Sequence, residues 1–427
     1  MVVVVMSRLL PPGHLHTEES RIVDSDGGTV RLAGVNWYGF EGVPMVAGGL
    51  DLKSIDDICQ MIVELGFNHI RLPHCVQMLL ENPRITSGLA ANPGLEGARA
   101  VDILDEVVNT AGRHGLRVVL DNHRSTAGWS AQENGLWYSE ALPEADWLRS
   151  LRLVADRFRG DDTVIGIDLR NEPGSPAIDP HQFPVNGGAV WGQPDRPWTR
   201  RPRDWAAAAE RGGNAVLEVN PDLLIFVEGV RGDPSGPIFS GELQMYWPGG
   251  NLCGVAHGGG GRRGPRRITL SIPDRLVYSV HDYGPDMHPQ MPWCQPNSTA
   301  ETADACRSIW DQAWGFIVHQ GIAPVYVGEF GTPNGLRPGD DTASRLFTDH
   351  DSSTSQGRWF SYLVAYMREL QVSWAYWPLN GDQAAARAGQ AARPDWYGIL
   401  RPDWSGPASA PLMAKLSELK DDAVDER

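Results

Sequence analysis

One pattern recurs down this chain and restricts its fold more than any single residue does. A short run rich in Val, Ile and Leu leads into a polar stretch, and an amphipathic helix that stops at a glycine follows. Ile55, Ile58, Cys59, Ile62 and Leu65 lie at helical spacing behind Ser54, a suitable N-cap, and end at Gly66. Residues 97–114 and 144–158 repeat the helix and stop at Gly115 and Gly160, while 204–219, 302–320, 355–370 and 411–420 continue the series. Strands are expected in the run 30–35 and at 68–72, 117–120, from Val164, and at 224–227, 275–280, 325–327 and 372–377. Eight strands separated mostly by helices predict an α/β chain folded as a (β/α)8 TIM barrel. An open doubly wound sheet shares the alternation, but the Gly-x-Gly-x-x-Gly expected after its first strand is absent.

The 427 residues hold no low-complexity linker long enough to separate a pair of cores, so one domain is expected over 21–420. It is preceded by a loose lead-in at 1–20, opens on a β-hairpin turning at Asp26-Gly27-Gly28, and is followed by a frayed tail at 421–427. Two long segments, 174–203 and 231–273, break the beat after the fourth and fifth strands and are expected to wall a cleft. The second contains a basic Gly/Arg run at 257–267, whose plainest reading is a solvated loop.

A formal charge of -16 and a pI near 5.2 argue against nucleic acid or an anionic membrane as a partner, and a monomer is expected. The start lacks a basic segment and a full apolar core, so no signal peptide is visible, and no stretch reaches transmembrane length. Five cysteines leave pairing open: Cys294 with Cys306 is one possibility, Cys59 with Cys75 or Cys253 another. Tryptophan (16) outnumbers tyrosine and phenylalanine (10 each), which suggests flat apolar faces offered to a ligand.

In a barrel the carboxyl ends of the strands converge on one face. Here those ends carry Trp37, Arg71, His123, Asn171-Glu172, His281 with Tyr283, Glu329 and Trp377. Two glutamates, each at the tip of its own strand, fit the acid and nucleophile of a glycosidase, whose carboxyls stand roughly 5–5.5 Å apart in a retaining enzyme. Charges that close favour a single proton between them. Asn171 and Glu172 are consecutive, so both can serve one site only if the strand end twists or bulges. His281 and Tyr283, two apart, share a face without distortion. Asp121 and His123 can do the same, with a buried structural Asp as the equal alternative. Of the loop aromatics Trp129, Trp137, Tyr138, Trp191, Trp198, Trp247, Trp293 and Trp396, about half are expected to be packing rather than sugar platforms. Trp147, Trp205, Trp310 and Trp314 fall in helices and are read as core.

From about Ile22 to Trp404 the chain resembles glycoside hydrolase family 5, the cellulase A family, and within it bacterial endo-β-1,4-glucanases. The resemblance is carried by Gly34-Val35-Asn36-Trp37, Asn171-Glu172-Pro173, Leu224-Ile225-Phe226-Val227-Glu228-Gly229-Val230, Leu276-Val277-Tyr278-Ser279-Val280-His281-Asp282-Tyr283 and Gly328-Glu329-Phe330-Gly331. It implies a retaining mechanism with Glu172 as general acid/base and Glu329 as nucleophile. It further implies that Arg71 and Tyr283 hold Glu329, that His123, Asn171 and His281 contact sugar or acid, and that Trp377 floors the subsite beside the broken bond. An extracellular location follows from the same resemblance. The chain departs from that pattern after His123, in Arg124-Ser125-Thr126-Ala127-Gly128-Trp129, and at Trp374-Ala375-Tyr376-Trp377-Pro378-Leu379-Asn380-Gly381. Both stretches line the cleft, which leaves mannan, xyloglucan or a glycolipid as alternative substrates to β-1,4-glucan. No cofactor and no metal are expected, because no His/carboxylate pair has metal-ligand spacing. A barrel kept only for carbohydrate binding is a further alternative, disfavoured because a binder has no use for Arg71 beside a nucleophile.

Overall fold

The computed structural model describes residues 9–128, 131–174, 188–192, 202–231, 246–258, 264–289, 291–336, 354–383 and 393–420. Eight parallel strands close into a barrel: β4 (Ala33–Asn36), β5 (His69–Cys75), β6 (Arg117–Arg124), β7 (Val164–Asp168), β8 (Leu224–Glu228), β9 (Leu276–Tyr283), β10 (Val325–Gly331) and β11 (Ser373–Tyr376), with β11 closing on β4. The (β/α)8 barrel read from the sequence is therefore present. The helices begin and end as their sequences dictate. Ser54, Asp204, Thr302 and Thr354 each accept a backbone N–H in the first turn. Gly66, Gly115 and Gly160 follow their helices with φ of +82°, +74° and +79°, a conformation glycine adopts without a Cβ penalty.

Three local features differ from expectation. The N-terminal hairpin is a three-stranded antiparallel sheet, β1 (His16–Glu18), β2 (Arg21–Val23) and β3 (Thr29–Val30), so an ordered strand begins inside the stretch read as a lead-in. Its turn is closed by Asp24, whose Oδ1 accepts from the amides of Asp26 and Gly28. The segment Val76–Glu81 is an extra helix, too short for its periodicity to register in sequence. The long helix expected at 302–320 is interrupted by a widened π-type turn at Asp311–Gly315 between Ala303–Trp310 and Phe316–His319. All five cysteines are buried free thiols, with the Cys294 and Cys306 sulfurs 3.8 Å apart.

The interior of the barrel explains where its chemistry sits. Side chains alternate along a strand, and Leu224 and Phe226 of β8, Val277 of β9, Tyr326 of β10 and Val119 of β6 share one buried apolar cluster. Their neighbours Ile225, Val227, Tyr278, Val325, Val327, Val118 and Leu120 belong to the larger cluster between barrel and helices. Two residues further along the inner columns the side chains turn polar: Glu228 follows Phe226, Ser279 and His281 follow Val277, and Asp121 and His123 follow Val119. The carboxyl end of the barrel thus carries buried ionisable groups above an apolar floor.

Candidate active site

Arg71, rising from the inner face of β5, is the hub. Its guanidinium is fully buried and lies 2.8 Å from Glu329, 3.0 Å from Asp168, 3.1 Å from Asp121 and 3.2 Å from Glu228. It also donates to Asn36 Oδ1 (3.0 Å) and Asn171 Oδ1 (3.1 Å). A planar fork with five N–H groups can serve so many acceptors; a point charge cannot.

Both glutamates reach the site through a backbone irregularity. Parity along β10 would send Gly328 inward after Tyr326 and Glu329 outward. A register shift between Val327 and Glu329 pairs Glu329 with His281 of β9 and turns the carboxylate into the barrel. Gly328 permits this, since a Cβ there would stand 2.9 Å from Ser279 Oγ and 3.0 Å from His281 Nε2. Glu172 lies beyond the end of β7 with φ of +49°, a left-handed turn that reverses the side chain after Asn171. The distortion expected at this strand end is there, as a single left-handed residue.

The carboxylates meet around His281. Glu172, Glu329 and His281 each present an atom such that all three lie within 4.8 Å of one another. His281 Nδ1 is 3.1 Å from Glu172 Oε1 and 3.7 Å from Glu329 Oε2. Glu172 Oε1 also accepts the indole N–H of Trp247 at 2.6 Å. Glu329 is held at both oxygens, Oε1 by Arg71 and Oε2 by the Tyr283 hydroxyl at 3.0 Å. Burial alone would lower His281, but Glu228, Glu329 and the hydrogen bond to Glu172 outweigh it and raise the imidazole well above its ordinary value. Burial instead pushes His123 down to about 3, keeping it neutral. Its Nδ1 lies 2.6 Å from Asp121 Oδ2, which fixes the proton there and leaves Nε2 as an acceptor. Trp377 is in an aromatic row, its ring centroid 5.6 Å from His123 and 5.5 Å from Tyr38 in near-parallel stacking.

Of the residues singled out from sequence, Arg71, His123, Asn171, Glu172, His281, Tyr283, Glu329 and Trp377 come together. Trp37 does not, and this is a correction: its ring is fully buried in the core and its Nε1 donates to Gly48 O. Its neighbour Asn36 reaches the site instead, bridging Arg71 and the Gly328 carbonyl (2.8 Å). Asp168 and Glu228 were missed, although a two-residue step from Gly166 and Phe226 marks the inner columns; a Cβ on Gly166 would meet the Phe226 ring at 2.6 Å. Among the loop aromatics Trp247 reaches the site, Trp137, Trp191 and Trp293 are core, and Trp129 and Trp198 lie outside the described residues. In the basic run, Arg266 forms a paired ion bridge with Glu210, a structural use. Asp168, Glu228 and His281 form a second cluster of potential metal ligands, but the Arg71 guanidinium already stands against Asp168, Glu228 and Glu329 as the local cation.

Residues 23–383 match the profile described as Cellulase (glycosyl hydrolase family 5). An endoglucanase of Paenibacillus polymyxa is 35% identical over 394 residues, covering 92% of this chain and 84% of that protein. The "Major extracellular endoglucanase" of Xanthomonas campestris is 31% identical, over 90% of this chain and 67% of that one. The structure of an endocellulase from Pyrococcus horikoshii in complex with cellotetraose superposes with a TM-score of 0.76 at 30% identity, covering 96% of this chain and 98% of that one.

Proposed function

Because this chain belongs to glycosyl hydrolase family 5, the cellulase family, we propose that it hydrolyses β-1,4-linked glucan with retention of configuration, Glu172 acting as general acid/base and Glu329 as nucleophile. The observation that carries this reading is the pairing of unlike carboxylates across His281. Both oxygens of Glu329 are held by donors, which suits an anion that must attack C1 in line. Glu172 has one oxygen, Oε1, occupied by His281 and Trp247, so the proton it delivers sits on Oε2. Glu329 attacks the anomeric carbon as Glu172 protonates the departing oxygen, giving a glycosyl-enzyme ester. Glu172, now ionised, takes a proton from water, and that water releases the sugar with its β configuration restored. One oxygen of each glutamate lies within 4.8 Å of the other, in keeping with the closer spacing of a retaining pair.

Asn171 gives its Oδ1 to Arg71, which leaves its amide nitrogen for a sugar hydroxyl, and His123 Nε2 offers an acceptor beside Trp377. The substrate is a β-linked oligo- or polysaccharide. An endo mode on β-1,4-glucan outside the cell is the reading the relatives' names favour. Among the described residues no helix is long and apolar enough to cross a membrane. A panel of glucan, mannan, xyloglucan and glycolipid substrates with reducing-end detection would assign the substrate.

Roles are separated by chemical rescue. Glu172→Ala should still form the glycosyl-enzyme on an activated aryl β-glycoside and then stall, because no base activates water. Added azide should restart turnover and yield the β-glycosyl azide. Glu329→Ala should be nearly inert, and azide should give at most the α-azide by direct attack. Swapped products would reverse the assignment, and near-wild-type activity of Glu329→Ala would exclude double displacement.

A further inference from the structure

Glu228 closes the segment Leu224–Glu228, yet the reaction just described gives it no role. It is fully buried at the end of β8, and its carboxylate faces the N–H groups of Glu172, Arg71 and His281. Oε2 accepts the backbone amide of Glu172 at 2.7 Å. Oε1 lies 3.2 Å from Arg71 Nη2 and 3.2 Å from His281 Nε2. The Glu228 carbonyl takes the indole N–H of Trp205 at 2.8 Å, which anchors the strand end. Gly249, with φ of +79°, passes so close that a Cβ there would stand 2.2 Å from Glu228 Oε2. The carboxylate is therefore fixed from several sides, with His281 standing between it and Glu172.

We propose that Glu228 is the positioning residue of the acid: it pairs the charge of the His281 imidazolium and clamps the Glu172 backbone in its left-handed turn, so that Glu172 keeps its proton until the leaving group takes it. The inference rests on Glu172 being the acid/base. An imidazolium whose Nδ1 is 3.1 Å from a carboxyl favours the ionised carboxylate, and a general acid needs the other form. With an anion on the far ring nitrogen, the imidazolium is already paired and no longer demands the charge of Glu172. Burial, with the nearby Asp168 charge, raises the Glu228 carboxyl to about 8, against the lowering by the facing cations His281 and Arg71. Against that rise stand the contacts of the ionised form: two hydrogen bonds, from the Glu172 amide and Arg71, and the charge of His281, whose Nε2 lies 3.2 Å away. The other charged groups around the pair are Asp168 on β7, Asp121 on β6, Glu329 on β10 at 3.7 Å from His281, and Arg231, whose charge acts on Glu172. Arg71 is shared among four carboxylates and cannot stand in for Glu228.

Glu228→Gln removes the charge and keeps the shape. The alkaline limb of its kcat/KM profile should move toward acid by roughly one unit or more. Its rate loss should be at least about tenfold greater on cello-oligosaccharides than on an aryl β-glycoside with a good leaving group, which needs little protonation. Glu228→Asp, which keeps the charge, should lose rate but retain the wild-type limb. A folded Glu228→Gln protein with the wild-type limb and the wild-type leaving-group ratio would overturn the proposal. A second measurement does not depend on that variant folding. In wild-type protein labelled with nitrogen-15 histidine, the His281 signal, assigned by its loss in His281→Gln, should report both ring nitrogens protonated throughout the active pH range. A neutral imidazole there would overturn the proposal equally. Azide products read the roles of the two glutamates, whereas the nitrogen spectrum reads the charge of His281, so failure of either reading is seen separately.

Discussion

Arg71→Lys keeps a positive charge in the barrel and removes the fork that distributes it. The guanidinium has five N–H groups, and acceptors from Asn36, Asp121, Asp168, Asn171, Glu228 and Glu329 surround it at 2.8–3.2 Å. An ammonium has three, so at least two hydrogen bonds to buried partners are lost. At about 1.5–3 kcal/mol for each bond to a charged group, the cost is roughly 3–6 kcal/mol. Unfolding entropy near 2.1 cal/mol/K per residue gives a barrel of this size a slope of about 0.9 kcal/mol per degree, so Tm should fall by roughly 3–7 °C. If the ammonium settles among Asp121, Asp168 and Glu228, Glu329 loses its 2.8 Å bond, and the glycosylation rate should drop roughly 10–150-fold. If Glu329 is the nucleophile as proposed, the drop should be the same for good and poor leaving groups, opposite to the pattern expected of Glu228→Gln. Differential scanning calorimetry and pre-steady-state release of an aryl leaving group measure the two effects. A variant melting within a degree of wild type and releasing aryl at more than half its rate would refute the view that the fork, rather than the charge, organises the site.

Tyr283→Phe removes only the 3.0 Å bond to Glu329 Oε2 and should lower kcat about 10–100-fold with KM little changed; a rise in KM alone would assign the hydroxyl to substrate. Proton NMR of the first product should show the β-anomer, and an initial α-anomer would refute retention. Exhaustive EDTA treatment should leave activity unchanged, and a loss restored by one divalent metal would turn the two His/carboxylate clusters into metal sites. Burial raises Glu41 from 4.5 to about 8, so the fold holds a proton there that the unfolded chain has released; this stability is full below pH 4.5 and lost as pH rises through 8. Glu41→Gln should therefore gain on wild type in urea denaturation between pH 4.5 and 8, and a difference that does not vary with pH would exclude a buried proton on Glu41.

The barrel was legible because its signals are local and repeat. Apolar runs of strand length, helical spacing behind Ser54 or Thr302, and a glycine after each early helix are written in contiguous residues, and the described elements begin and end within a few positions of them. What escaped has a non-local or very short cause. His16–Glu18 is a strand only because β2 returns beside it in antiparallel register. The helix Val76–Glu81 is too short for periodicity to show. The π-type turn at Asp311–Gly315 inserts no residue type that sequence would flag; Tyr366 packs against Trp310 just before it and Trp314 within it.

The site divides along a different line. Residues at the tips of strands, such as His123 and His281, could be read from strand position alone, whereas Trp37 was misassigned because tip position does not tell which way a side chain points. Parity does, and it was the stronger signal: Asn36 is inward when Trp37 is not, and Glu228 stands two residues beyond Phe226 in a column already known to be interior. Parity fails where the backbone is irregular, and both carboxylates proposed to react stand at such places. Gly328 breaks the alternation of β10 so that Glu329 faces His281, and a left-handed Glu172 breaks it after β7. A regular barrel would have pointed Glu329 toward the helices. The irregularities are held by buried partners: Asn36 on the Gly328 carbonyl and Glu228 on the Glu172 amide. Removing either partner should therefore impair chemistry before binding, because what each one fixes is the direction of a carboxylate.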